Sequence, residues 1–102
     1  DFFEIFNQEE KPVMIDFYAE WCSPCKSIAP VFEDLANEFG EDIFVLKVDI
    51  EKNQELAGIF MVRSLPSVVT SSSGEVVKAI VGAQNKQVYK NMALEAIKHH
   101  TK

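Results

Sequence analysis

The sequence predicts an α/β fold in which a mixed central sheet of about four strands is flanked by helices on both faces. Three patterns carry that expectation. Through residue 60, short apolar runs alternate with segments whose apolar residues recur every three to four positions, the order of parallel strands joined by a crossover helix. Ser73-Gly74 then separates two further strand-like runs, which adds an antiparallel hairpin. A last amphipathic stretch closes the chain and supplies another helix to cover the sheet.

Each element has its own local signal. Phe2, Phe3 and Phe6 recur at helical spacing, and the polar stretch from Asn7 to Lys11 ends that short helix in a turn. After Pro12, Val13 to Ala19 is apolar at nearly every position, as in a central strand covered on both faces, with Asp16 as the exception. From Cys22 to Gly40 the residues Ile28, Val31, Phe32, Leu35, Ala36 and Phe39 keep the 3.6-residue period, and Gly40 supplies a stop. Pro24 suits a first helical turn, whereas Pro30 falls inside the periodic stretch and should kink it. Ile43 to Ile50 reads as a second strand and Gln54 to Phe60 as a short helix. Ser67-Val68-Val69 opens a third strand after Pro66, and Glu75 to Val81 forms a fourth. Val88, Met92 and Ala96, with Tyr89, Ala93 and Ile97, mark the closing helix. The chain shows no internal repeat, linker or low-complexity tract.

A length of 102 residues fits a single domain spanning 1–102, and 47% hydrophobic with 25% charged residues is the balance of a chain that folds on its own. The net charge of −6 leaves no excess of lysine and arginine to neutralise phosphates or anionic lipid, which argues against nucleic-acid and membrane partners. No apolar run approaches the roughly 18 residues needed to cross a bilayer, and Asp1-Phe2-Phe3-Glu4 lacks the basic-then-apolar pattern of a secretion signal. A cytoplasmic, monomeric protein is the expectation.

The chain has two cysteines, too few for the multi-bridge framework of a small secreted scaffold. They stand as Trp21-Cys22-Ser23-Pro24-Cys25-Lys26, a C-x-x-C pair where a central strand gives way to a helix, the context in which the motif reads as redox-active. Unpaired N–H groups and the positive dipole end at a helix N-terminus favour an anion, a setting that lowers the free thiol pKa of roughly 8.5. Disulfide exchange needs a thiolate that attacks sulfur and a second thiol near enough to displace the product. Cys22 is therefore the nucleophile and Cys25 the resolving thiol; two buried structural thiols are the alternative.

Structural zinc needs four ligands, and beyond the two cysteines the chain offers only His99 and His100, read as part of a solvated tail. No metal is expected, although two C-x-x-C motifs from two chains would supply four thiolates. Asp16 in an apolar strand must be protonated or find a partner, which makes it a candidate proton carrier or else a cap on a nearby N–H. Lys47, also within an apolar strand, is either its partner or a lysine that snorkels to water. Pro66 between strand-forming stretches marks a turn or irregularity, and its isomer stays open at this level.

The run from Asp16 through Lys26, with Ile28-Ala29-Pro30 following, resembles the active-site segment of the thioredoxin family. Lys47-Val48-Asp49, Val62-Arg63-Ser64-Leu65-Pro66-Ser67, Gly74-Glu75 and Val81-Gly82-Ala83 follow at the family's intervals, so the likeness covers nearly the whole chain. It implies a thioredoxin fold and a protein-disulfide reductase in which Cys22 attacks, Cys25 resolves, Asp16 transfers a proton near Cys25 and Lys47 tunes Asp16. It also implies a cis Pro66 facing the cysteines. The implied substrate groove is lined by Trp21, Ser23, Pro24, Leu65, Pro66, Val81, Gly82 and Ala83. Implied partners are an NADPH-linked thioredoxin reductase and oxidised proteins, with no bound cofactor.

Three departures accompany the likeness. Ser23 stands where the family usually has glycine, which bears on redox poise. The chain begins at the helix that a further strand usually precedes, so four strands and a newly exposed sheet edge are expected. Thr70-Ser71-Ser72-Ser73 replaces a more apolar strand end and should loosen the hairpin. Two other functions compete. One is oxidation or isomerisation of exported proteins, which Pro24 disfavours because such relatives usually carry histidine there. The other is a non-redox binding module using the same groove.

Overall fold

Asp1 accepts the backbone N–H groups of Phe3 and Glu4 at 2.7 and 3.3 Å and so caps the first helix, α1 (Phe2–Asn7). Gln8 ends it, its side-chain oxygen accepting the N–H groups of Glu10 and Lys11 in the turn that leads to Pro12. In the computed structural model, which describes residues 1–100, the chain continues through β1 (Val13–Tyr18), α2 (Ser23–Phe39), β2 (Phe44–Asp49) and α3 (Gln54–Ile59). It ends with β3 (Ser67–Ser72), β4 (Glu75–Val81) and α4 (Lys86–His100).

The strands form one four-stranded sheet in the order β2-β1-β3-β4, so β2 and β4 are its outer strands. β1 pairs in parallel with β2, and Asp16 stands opposite Lys47 in that register. β1 with β3 and β3 with β4 are antiparallel. The period of two along β1 separates two cores. Val13, Ile15 and Phe17 face α1 and α3, where Phe6 and Phe60 meet edge-on at 5.3 Å between centroids. Met14 faces the other side and joins Ile28, Phe32 and Leu35 of α2 and Tyr89, Met92, Ala93 and Ala96 of α4. By the same alternation Asp16 and Tyr18 point to the α2 side, and Asp16 is the polar residue under the start of that helix.

The predicted elements are present, with shorter ends. Ala19 lies beyond β1, Ile43 and Ile50 flank β2, and Phe60 is the C-cap of α3. α2 runs through Pro30 without a break, although the missing N–H leaves the Lys26 carbonyl without its helical donor. The serine-rich strand end stays paired down to Ser72 opposite Glu75, with one irregularity between Thr70 and Ser71. Thr70, Ser71 and Ser72 are buried; the Thr70 hydroxyl donates to the Lys78 carbonyl at 3.5 Å, and Ser72 Oγ lies 2.7 Å from His100 Nδ1. His100 does not sit in a solvated tail. It is the last residue of α4, half-buried, and its Nε2 is also 2.7 Å from the Glu9 carbonyl, because the final turn of α4 lies over the end of β3 and reaches the bend after α1. His99 is exposed.

Candidate active site

The site forms where β1 ends and α2 begins. The Cys22 N–H donates to the Ala19 carbonyl at 3.1 Å, a turn that swings the chain off the strand. Cys22 itself is the N-cap of α2: its backbone is extended and its Sγ accepts the Cys25 N–H at 3.2 Å. Pro24 occupies the first helical turn, where no N–H is needed. Cys22 and Cys25 are joined as a disulfide with Cα atoms 5.3 Å apart, so the structure is that of the oxidised state.

Each sulfur-bearing residue borders a different opening. Cys22 lies in a cleft of about 410 Å³ together with Trp21, Ser23, Pro24, Arg63, Ser64 and Leu65. Trp21 is 65% exposed, and Leu65 packs against the buried cysteine pair. Cys25 lies in a second cavity of about 250 Å³ with Asp16, Tyr18, Lys26, Ala29 and Lys47. The two sulfurs are thus placed differently: one borders the cleft beside Trp21 and Leu65, the other a pocket holding a carboxyl group.

Asp16 is 1% exposed, and neither of its oxygens has a hydrogen-bond partner among the described residues, so it caps no N–H. Burial raises its pKa from the ordinary 3.8 to about 6, against the opposing pull of the Lys47 charge. Lys47 is exposed and its Nζ sits 4.9 Å from the centroid of the Tyr18 ring. It therefore reaches Asp16 through space without forming an ion pair.

The Leu65-Pro66 peptide bond is cis, and Pro66 is buried. Its carbonyl accepts the Gly82 N–H at 2.8 Å, which fastens the 81–83 turn to this loop. Gly82 has φ +89°, a conformation that favours glycine. The turn stands beside the Cys22 cleft rather than in its wall: Val81, 59% exposed, borders an adjoining hollow that shares Arg63 and Ser64 with the cleft.

Sequence reasoning overlooked several residues. Ile50, Val62, Arg63 and Ser64 line the Cys22 cleft. The last three precede Leu65 in the same loop, so their nearness could have been read from that. Ile50 follows β2, and parallel pairing brings the ends of β1 and β2 together. Tyr18 and Tyr89 carried no local signal of a role at the site. Tyr89, fully buried against Phe32, accepts the Gln84 N–H at 3.0 Å and donates to the Gly82 carbonyl at 3.2 Å. Among the described residues no three His, Cys, Asp or Glu side chains gather as metal ligands, and no helix is long and apolar enough to cross a membrane.

Residues 1–95 match the family model described as thioredoxin. The thioredoxin of Mycobacterium tuberculosis is 47% identical over 76 residues, covering 74% of this chain and 66% of that protein. The match therefore spans just under two thirds of that relative's length. A Mycobacterium leprae protein named bifunctional thioredoxin reductase/thioredoxin is 44% identical over 85 residues, 83% of this chain and 19% of that protein. Among solved structures, a mutant thioredoxin from Halobacterium salinarum superposes with a TM-score of 0.84 at 35% identity, with 92% of this chain and 80% of that chain covered.

Proposed function

Because the chain belongs to the thioredoxin family, we propose that it reduces protein disulfides by dithiol–disulfide exchange. The observation that carries the reading is the division of the pair at the start of α2, Cys22 opening on the cleft and Cys25 on the Asp16 cavity.

In the reduced protein the Cys22 thiolate, placed to accept the Cys25 N–H and the positive end of the helix, attacks one sulfur of a substrate disulfide. A mixed disulfide forms and the other substrate sulfur leaves as a thiolate that takes up a proton. Cys25 then gives its proton to the Asp16 carboxylate and attacks Cys22 Sγ. The mixed disulfide breaks, the second substrate thiolate leaves and is protonated, and the Cys22–Cys25 disulfide remains. The substrate gains two electrons and the protein loses two. A carboxyl with a pKa of about 6 is suited to hold that proton near neutral pH.

Trp21, Ser23, Pro24, Leu65, Arg63 and Ser64 surround the approach to Cys22 and would bear on the chain next to the scissile disulfide. The cycle closes only if an external two-electron donor restores the dithiol. A thioredoxin reductase drawing on NADPH fits, and the relative that carries both names supports it. We place this monomeric cycle in the cytoplasm, where such donors keep thiols reduced.

The test is the equilibrium reduction potential of Cys22–Cys25, measured against dithiothreitol or glutathione by thiol alkylation and mass. A potential well below that of the glutathione pool, with reduction of insulin disulfides, is the expected result. A markedly more oxidising potential would turn the reading to disulfide donation or isomerisation. Failure to form the disulfide would favour a binding module.

A further inference from the structure

We propose that Tyr18 is a positioning residue: its ring holds the Lys47 ammonium beside the Asp16 carboxyl instead of on it, leaving the carboxyl unpaired next to Cys25. The inference deepens the reading above and rests on the acid–base role given there to Asp16.

The register makes the absence of an ion pair informative. Asp16 and Lys47 are register partners on neighbouring parallel strands and share a face, so their side chains start within reach of each other. Yet both Asp16 oxygens lack a hydrogen-bond partner among the described residues, and Lys47 Nζ lies over the Tyr18 ring at 4.9 Å from its centroid. Tyr18 is two residues beyond Asp16 on the same strand and so shares its face. Its π face offers the ammonium a site at the mouth of the cavity, where Lys47 keeps its hydration. An ion pair with Asp16 would require burying that ammonium.

Lys47 is the group whose placement matters. Around the cavity, α2 contributes Cys25 and Lys26, the preceding loop Glu20, β2 Lys47 and β1 Tyr18. From α4, Tyr89 feels the Asp16 charge, but its hydroxyl is committed to Gly82 and Gln84. Of these groups Lys47 exerts the opposing electrostatic pull on Asp16. Were it to move onto the carboxyl, Asp16 would be held ionised and become a poorer acceptor for the Cys25 proton.

The experiment follows the Asp16 carboxyl by ¹³C NMR titration in the oxidised protein, where no turnover takes place. Removing the ring with Tyr18→Leu should lower the titration midpoint by about half a pH unit, whereas Tyr18→Phe, which keeps the ring, should leave it in place. A leucine also admits water, so the same exchange is made in a Lys47→Gln background, where the shift should vanish. In the wild-type protein the Lys47 ε-methylene protons should be shifted upfield by the ring and show contacts to it. An unmoved midpoint, an equal shift without Lys47, or the absence of the ring-current shift would overturn the proposal. Because none of these readouts needs turnover, its failure is separate from failure of the reductase reading, which insulin reduction decides.

Discussion

A carboxyl that is 1% exposed and unpartnered among the described residues is more stable protonated, and this sets the sign of its pH dependence. With a folded pKa of about 6 against an ordinary 3.8, the folded chain binds a proton that the unfolded chain lacks between those values. The Asp16 contribution is therefore fully favourable below about pH 4, falls through about pH 6 and is flat above it. At 1.36 kcal/mol per pH unit the loss is about 3 kcal/mol. Urea unfolding of the oxidised protein should show this slope, and Asp16→Asn should flatten it. Cys25→Ser should abolish turnover and leave Cys22 joined to substrate as a mixed disulfide, seen as a covalent adduct by mass; free Cys22 after reaction with an oxidised substrate would contradict the assignment. At this scale the sequence exposed the conflict at Asp16, because a charge inside an apolar run needs no tertiary information to be noticed. Where Lys47 points was hidden, since it depends on a ring that pairs with it only across two strands.

At the scale of elements, the start of α2 is the functional unit, and its signals are local: Cys22 as cap, Pro24 in the first turn, apolar residues at helical spacing. The 81–83 turn behaves differently. It has its shape because Gly82 reaches Pro66 through its N–H and Tyr89 through its carbonyl. Tyr89→Phe keeps the buried ring and deletes one hydroxyl that serves two backbone groups. The expected cost is about 1 kcal/mol in urea unfolding, with faster amide hydrogen exchange at Gln84. Unchanged exchange there would show that the hydroxyl does not hold the turn. The helical period placed Tyr89 on the buried face of α4, but its hydrogen bonds depend on a turn that a different strand fixes.

Across the whole molecule, His100 joins parts that are far apart in the chain: one ring nitrogen meets Ser72 of β3, the other the carbonyl of Glu9. His100→Ala should cost about 1–3 kcal/mol and lower the melting temperature by roughly 4–8 °C for each kcal/mol. No change in melting temperature would show that water replaces both bonds. The sequence alone determined the order of the elements, the mixed four-stranded sheet and the place of the cysteine pair. Those features follow from apolar periodicity, proline and glycine punctuation and spacing within a few residues, all local properties of the chain. Only the tertiary structure decided which opening each cysteine faces, that Ile50 borders the cleft, that Lys47 rests on Tyr18, and that His100 ties the end of β3 and the loop after α1 to α4. Each depends on contacts between segments that meet only when the sheet and its two helical layers close around one another, and no local pattern records such contacts.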